Sequence, residues 1–357
     1  MRACVLVKRD GRTSTEIREL ADPTPAAGEI VLAVRAAALN HLDLYAFEAF
    51  AGDDESTPRI IGSDAAGVVS AVGPGVDAVR IGDEVVLNPG LSCGDCEACQ
   101  RGQASECPWF DIVGRGPQGT LAGFVTVPVR NVHPKPSHLN FDQAAALPLA
   151  HLTAARMLFE RGRLIAGESV LIHGIGGGVA LAALQLAKLA GAEVSVTSSS
   201  VEKLERAMRL GADHIVDYSA TADVAESVRQ VTGGRGVDLT VDTVGSGTLA
   251  SSVSATRNGG RVVACGATSG AESTLNIREL FWRQISIIGS TMGSHEDFRR
   301  MLRIVTTSWL VPVIDSVLPL DEVAGGLARM RQGRHFGKIV ISIDSRKPGS
   351  ADDMTDG

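Results

Sequence analysis

Aromatic side chains are scarce in this chain of 357 residues: nine Phe, three Trp and two Tyr, 4% in all. Stacking platforms for single-stranded nucleic acid have little to be built from. Positive charge is in deficit as well, with 34 Lys and Arg against 41 Asp and Glu. A net charge of −7 argues against a phosphate-backbone partner, so no nucleic acid is expected. No uninterrupted apolar stretch approaches the roughly 18 residues of a bilayer crossing, so no membrane partner is expected either. The N-terminus, Met1-Arg2-Ala3-Cys4-Val5-Leu6-Val7-Lys8, reaches charge too soon for an export signal, and a reducing, cytoplasmic location is expected.

What is present is a globular composition, 44% hydrophobic and 21% charged, at a length that suggests about two domains. Glycine is in excess, 40 residues with no triplet period, so the fold needs many tight turns or close backbone approaches. The first 150 residues read as β-structure with loops, Val31–Val34 and Val68–Val72 being short apolar runs. From about Gly167 strands and helices alternate. The predicted strands are 169–173, 193–197, 214–216, 237–241, 261–265 and 285–289. Helices are predicted at 179–189, 201–210, 223–231 and 249–256, with capping-box spacing in Ser199-Ser200-Val201-Glu202. Six strands with crossover helices predict an α/β fold with a doubly wound parallel sheet. The segment 294–344, with one or two helices and strands at 313–318 and 339–343, is too short for a third domain and is expected to return to the first. Residues 346–357 read as a disordered tail.

Four of the six cysteines, Cys93, Cys96, Cys99 and Cys107, fall in the spacing C-x2-C-x2-C-x7-C. Four thiolates on one compact loop can close a tetrahedron around a structural zinc, with no vacancy for a substrate. An iron–sulfur cluster is the competitor; Cys107-Pro108 suits it and the seven-residue gap does not.

The second motif, Gly174-Ile175-Gly176-Gly177-Gly178-Val179-Ala180, lies between a predicted strand and a predicted helix. Glycines there let backbone approach a dinucleotide diphosphate at a helix N-terminus. NAD sites usually place a carboxylate at the end of the second strand. Here the chain reads Thr197-Ser198-Ser199-Ser200. Ser198 and Ser199, with Lys203 and Tyr218, can donate hydrogen bonds to a 2′-phosphate, which predicts NADPH, although Lys203 also reads as an ordinary solvated helix lysine.

Together with Gly62-Ser63-Asp64-Ala65-Ala66-Gly67 through Gly73 and Gly82-Asp83-Glu84-Val85, these motifs resemble the medium-chain dehydrogenase/reductase superfamily over nearly the whole chain. The resemblance implies a Rossmann domain at 150–293 and a GroES-like catalytic domain at 1–149 and 294–345, with the zinc lobe at 90–108. In the superfamily's zinc-dependent alcohol dehydrogenases a catalytic zinc is held by a cysteine where this chain has Asn40, a histidine where it has Ser63, and a cysteine or aspartate near Leu149. The chain therefore looks like the quinone oxidoreductase branch, which lacks that zinc.

The activity expected on this resemblance is that of an NADPH-dependent reductase of a small conjugated carbonyl compound, with one structural zinc per chain. The alternatives are an alcohol dehydrogenase with an atypical metal at His41, Asp64 and His151, and a redox sensor that binds NADPH without turnover. The candidates for chemistry are Asn40, Asp43, Tyr45 and Thr153. Asn40 and Asp43 also read as residues that orient the loop, and Tyr45 as plain packing. Cofactor contacts implied by the resemblance are His41, Asp242, Val244, Cys265, Gly266, Ala267, Ser290, Thr291 and Met292. A homodimer or homotetramer formed through sheet edges is implied too.

Overall fold

From residue 169 onward the strands stack in the order His214–Asp217, Glu193–Ser198, Ser169–Ile172, Val237–Asp242, Thr256–Ala264, Ser286–Gly289. All five neighbouring pairs are parallel. In chain order this is 3-2-1-4-5-6, which places the ligand crevice where the order reverses, beside Ser169–Ile172. The computed structural model describes residues 1–50, 58–116, 118–221 and 223–343, so the tail expected at 346–357 lies outside the described residues.

The central strands are apolar along their length because helices cover both faces; Val170, Leu171 and Ile172 are fully buried. Helix Gly178–Leu189 ends at Gly191, whose φ of +77° suits the position after a helix C-cap. The capping box expected at Ser199 is not formed. Instead Ser200 is the N-cap of helix Val201–Arg209, its hydroxyl accepting from the Lys203 N–H at 3.3 Å, and the third residue of the helix is Lys203, which has no carboxylate to reciprocate. The fifth strand begins at Thr256, five residues before the expected Arg261. A register shift between Val237 and Leu239 absorbs Asn258-Gly259-Gly260, and a Cβ on Gly260 would come within 2.4 Å of the Thr256 methyl.

The other half of the molecule is built on a mostly antiparallel sheet ordered Val132–Pro134, Glu84–Leu87, Asp64–Val72, Glu29–Ala38, Lys338–Ser342, Ile314–Pro319, with Phe124–Pro128 pairing Glu29–Ala38. The C-terminal segment completes it: Val340 is opposite Ala38 and Ile341 opposite Ala37. A smaller sheet, Arg12–Glu19, Arg2–Arg9 and Arg59–Ile60, lies beside it. Helix Pro148–Ala155 leads from this β-rich part to the parallel sheet and continues as a π-helical stretch, Arg156–Arg161, a form frequent at functional sites. Among the described residues no helix is long and apolar enough to cross a membrane.

Candidate active site and cysteine lobe

The glycine loop turns back on itself between Ile172 and the helix that begins at Gly178. Gly174 (φ +67°) and Gly176 (φ +128°) occupy backbone that side chains rarely adopt. The Thr197 hydroxyl accepts from Gly174 N–H at 3.2 Å, and the Thr197 carbonyl from Ile175 N–H at 2.8 Å. The loop is thereby pinned to the end of the second strand. Val244 closes one side, its methyl 3.3 Å from where a Gly174 Cβ would stand. Gly177 is the N-cap of the helix and Val179 lies in its first turn.

The facing wall comes from residues 333–338. Gly337 donates to the Gly176 carbonyl at 2.9 Å, and a Cβ on Gly178 would stand 2.9 Å from Lys338 Cδ. Lys338 is buried, and all three of its ammonium protons are committed: to Leu39 O at 2.8 Å, Asn40 Oδ1 at 2.5 Å and Asp64 Oδ2 at 2.9 Å. Asp64, fully buried, also accepts from Asn40 Nδ2 at 2.9 Å and from Leu149 N–H at 2.8 Å. A buried ion pair therefore joins three stretches of chain distant in sequence, at 39–40, 64 and 338.

That network corrects two assignments. Asn40 gives its amide protons to Asp64 and to Ala38 O, and its carbonyl accepts from Lys338, so no N–H is left for a substrate oxygen. Asp43 accepts from Asn40 N–H at 2.7 Å and Gly62 N–H at 3.0 Å; burial raises its carboxyl to about 6, and its work is to tie the helix His41–Glu48 to the Gly62 turn. Asp242 is corrected likewise. Its oxygens accept from Val244 N–H, Gly245 N–H, Thr248 Oγ1 and Ser252 Oγ, so it holds the 244–252 turn and is not free for a cofactor.

His41 and Tyr45, four apart, share the exposed face of their helix. The His41 ring lies 5.9 Å from that of His335, and burial raises the Tyr45 hydroxyl above its ordinary value. His151 is buried with neither ring nitrogen hydrogen-bonded, and burial lowers it to about 4. Among the described residues His41, Asp64 and His151 do not converge as metal ligands.

At the end of the second strand, Ser198 stands opposite Asp217, and Tyr218 N–H donates to Ser198 O at 3.1 Å, so Ser198, Ser199 and Tyr218 come together. Asp217 is a carboxylate that the sequence pattern did not single out, because it sits on the third strand; its Oδ1 is engaged by Ser219. Lys203 is not directed at this ribose end. Its stem crosses Gly176 and its ammonium donates to Gly333 O at 2.6 Å.

Cys265, Gly266, Ser290 and Thr291 line one cavity of about 320 Å³ beyond the carboxyl ends of the fifth and sixth strands, with Glu106, Arg156 and Arg161 on its other side. Ala267 backs it through contact with Gly245, and the buried Met292 follows at a φ of +43°. Burial raises the Cys265 thiol to about 11, so it is no redox thiol at neutral pH. Arg156, nearly inaccessible, bonds Asp297 at 2.7 Å and reaches Gln103 and Glu106 of the cysteine lobe at 3.0 and 3.4 Å.

Several buried polar atoms on these elements have no hydrogen-bond partner among the described residues: Ser63 Oγ, Thr153 Oγ1, His173 Nε2, Ser290 Oγ and His335 Nδ1. Buried groups are normally paired, so the unpaired atoms just past the first and sixth strands (His173, Ser290) and beside the glycine cradle (His335) fit a bound dinucleotide.

In the lobe, the Sγ atoms of Cys93, Cys96, Cys99 and Cys107 all lie within 4.8 Å of one another. The Cys93–Cys99 and Cys93–Cys107 separations are 3.9 and 3.6 Å. Tetrahedral zinc with its usual thiolate bonds needs sulfur separations of about 3.8 Å, so the donor set fits. Backbone N–H groups of Asp95 and Cys96 lower the Cys93 thiol to about 6, readying a thiolate for metal.

A 3-2-1-4-5-6 sheet whose glycine loop faces a GroES-like β domain defines the class of two-domain nicotinamide-dependent oxidoreductases. Residues 26–137 match the family model of the alcohol dehydrogenase GroES-like domain, and 178–307 that of the zinc-binding dehydrogenases. A zinc-type alcohol dehydrogenase-like protein of Schizosaccharomyces pombe is 32% identical, over 89% of this chain and 91% of that one. A quinone oxidoreductase of Rattus norvegicus is 30% identical over 85% of both. The crystal structure of an NAD-dependent alcohol dehydrogenase superposes with a TM-score of 0.90 at 43% identity, covering 96% of this chain and 100% of that one. The chain belongs to the medium-chain dehydrogenase/reductase superfamily, among its zinc-type, alcohol dehydrogenase-like oxidoreductases.

Proposed function

We propose that the protein reduces a conjugated carbonyl compound, a quinone, an enone or an enoyl thioester, with NADPH and without a metal at the reacting centre. The observation that carries this reading is the ion pair of Lys338 with Asp64, bonded to Asn40, in a region where Asn40, Ser63 and Leu149 offer neither thiolate nor imidazole. Reduction of a simple ketone builds an alkoxide, a strong base served by a Lewis acid. Reduction of a quinone or enone builds a phenolate or enolate, a weaker base that hydrogen-bond donors can hold. The buried, unpaired hydroxyls of Thr153 and Ser63 supply such donors, with Tyr45, on the exposed face of the helix His41–Glu48, as the proton source.

The nicotinamide, when bound, supplies the hydride. Gly174, Gly176, Gly177 and Gly178 cradle the diphosphate, and Cys265, Gly266, Ser290 and Thr291 border the nicotinamide end. Ser199 and Tyr218 favour a 2′-phosphate. The four cysteines hold one structural zinc, and they do no chemistry. A second reading, alcohol–aldehyde interconversion with NADH, draws support from the 43% identical NAD-dependent structure and from Asp217 beside Ser198.

One experiment separates these. Oxidation of NADPH and NADH is followed optically against quinones, enones, enoyl thioesters and aldehydes, on protein whose zinc has been counted. One zinc per chain with NADPH-dependent turnover of an enone or quinone supports the proposal. Two zincs with chelator-sensitive aldehyde reduction overturn it in favour of the alcohol dehydrogenase, and absence of turnover overturns it in favour of a sensor.

Assembly is proposed on the free edge Ser286–Gly289. Beside it Ile277, Phe281 and Trp282 are 64%, 62% and 78% exposed, a group of large apolar side chains that edge-to-edge pairing of two copies would cover. A monomer by light scattering refutes a homodimer or homotetramer.

A further inference from the structure

The loop opposite the glycine cradle carries a histidine that no sequence motif singled out. His335 is 6% exposed and, among the described residues, its Nδ1 has no hydrogen-bond partner. Its carbonyl oxygen is 3.4 Å from where a Gly176 Cβ would stand, so the residue lies directly against the turn that cradles a diphosphate. On its other side the His41 ring stands 5.9 Å away. Two imidazoles, tilted 54° to each other, thus stand together where the 333–338 segment meets the glycine loop.

We propose that His335 is a ligand of the cofactor diphosphate and that the diphosphate enters together with a proton, held by His335 with His41 as its partner. This inference rests on the nicotinamide-cofactor reading above and adds to it a residue and a proton.

The charge around His335 explains the coupling. It is faced by His41 from the helix His41–Glu48, Lys203 from the helix Val201–Arg209, Lys338 from its own strand and Asp315 from the strand Ile314–Pro319. Asp315, the one acid among them, is already claimed by Arg329 at 2.7 Å and by Phe336 N–H at 2.9 Å. Burial first, and the basic neighbours second, lower His335 to about 4, so it is neutral in the free protein at pH 7. A dianion beside it reverses the balance, because the bound state then favours the imidazolium and raises its pKa. Between the free and bound values binding takes up a proton, so affinity is greatest in acid and declines as pH rises through the bound value.

The test is titration calorimetry with NADH, which lacks the 2′-phosphate and that group's own ionisation near pH 6. It is run on the whole protein at pH 6.5 in buffers of differing ionisation enthalpy, and again from pH 6 to 8. Up to about one proton is taken up per site, and Kd rises up to about tenfold for each pH unit between the free value of about 4 and the raised bound value. His335→Gln abolishes the uptake and flattens the pH dependence; His41→Gln reduces both. Binding without proton uptake in the wild type, which needs no variant to be read, overturns the inference and leaves the reductase reading standing. So does a His335→Gln protein of unchanged Tm whose pH dependence matches the wild type. If neither NADH nor NADPH binds, the reading beneath it falls as well.

Discussion

Replacing Lys338 by methionine tests whether the buried ion pair holds the β-rich wall of the site together. Methionine has the length of the lysine stem that lies over Gly178 and none of its charge. The substitution leaves Asp64 fully buried with only Asn40 Nδ2 and Leu149 N–H to satisfy it, and strips Leu39 O and Asn40 Oδ1 of their donor. Breaking a buried pair by removing one partner costs about 3–5 kcal/mol. At about 2–4 °C per kcal/mol for folding units of 150–250 residues, Tm falls by about 6–20 °C. The assay is thermal unfolding followed by circular dichroism at one fixed scan rate. The decisive comparison is the double variant Asp64→Asn/Lys338→Met, in which the amide keeps an acceptor for Leu149 and no charge is stranded; it recovers at least about half of the loss. A single variant within about 2 °C of wild type, or a double variant no better than the single, refutes the reasoning.

Acid should unfold the protein steeply, because burial lowers His133, His151 and His335 to about 4 each. A lowered histidine stabilises the fold above its unfolded value of about 6.5, and that stability is lost as pH falls from there towards 4, at about 1.4 kcal/mol per pH unit per histidine. His133→Gln, in the contact with Phe298, therefore lowers the slope of stability against pH between 6 and 4.5 by one proton, read from urea unfolding. Stripping the metal with a chelator, or Cys107→Ser in the buried corner of the lobe, removes one zinc per chain by metal analysis and lowers Tm; a metal count unchanged in Cys107→Ser refutes the four-sulfur site. Gly176→Ala places a methyl at a φ of +128° and 3.0 Å from Lys203 Cδ, so cofactor KM rises at least about tenfold, and steady-state kinetics with an unchanged KM refutes the cradle.

The doubly wound sheet was legible because its signals are local: six short apolar runs, the first four each followed by a turn or cap and then a helical period. The cysteine lobe was legible for the same reason, its ligands lying within fifteen residues. The reacting cleft was not. Asn40, Asp43 and Asp242 are the residue types that chemistry uses, but their oxygens and protons are spent on partners that no spacing reveals. Lys338 was passed over because Gly337-Lys338-Ile339-Val340-Ile341 reads as an ordinary strand; the one hint was a charge inside an apolar run, and its partner Asp64 is 274 residues away. His335 carries no motif at all, and only the fold sets it against the glycine loop.

Arg156 gives the metal lobe a reach beyond its own sulfurs. From the start of the π-helical stretch it grips Gln103 and Glu106 on one side and Asp297 on the other, and with Glu106 it forms part of the wall of the cavity beside Cys265 and Ser290. The lobe that gathers the four sulfurs is thus mechanically continuous with the wall of that cavity. A shift of the cysteine loop would therefore be felt, through Gln103 and Glu106, at the side chains that wall the cavity, so four sulfurs that line no part of it still set its shape.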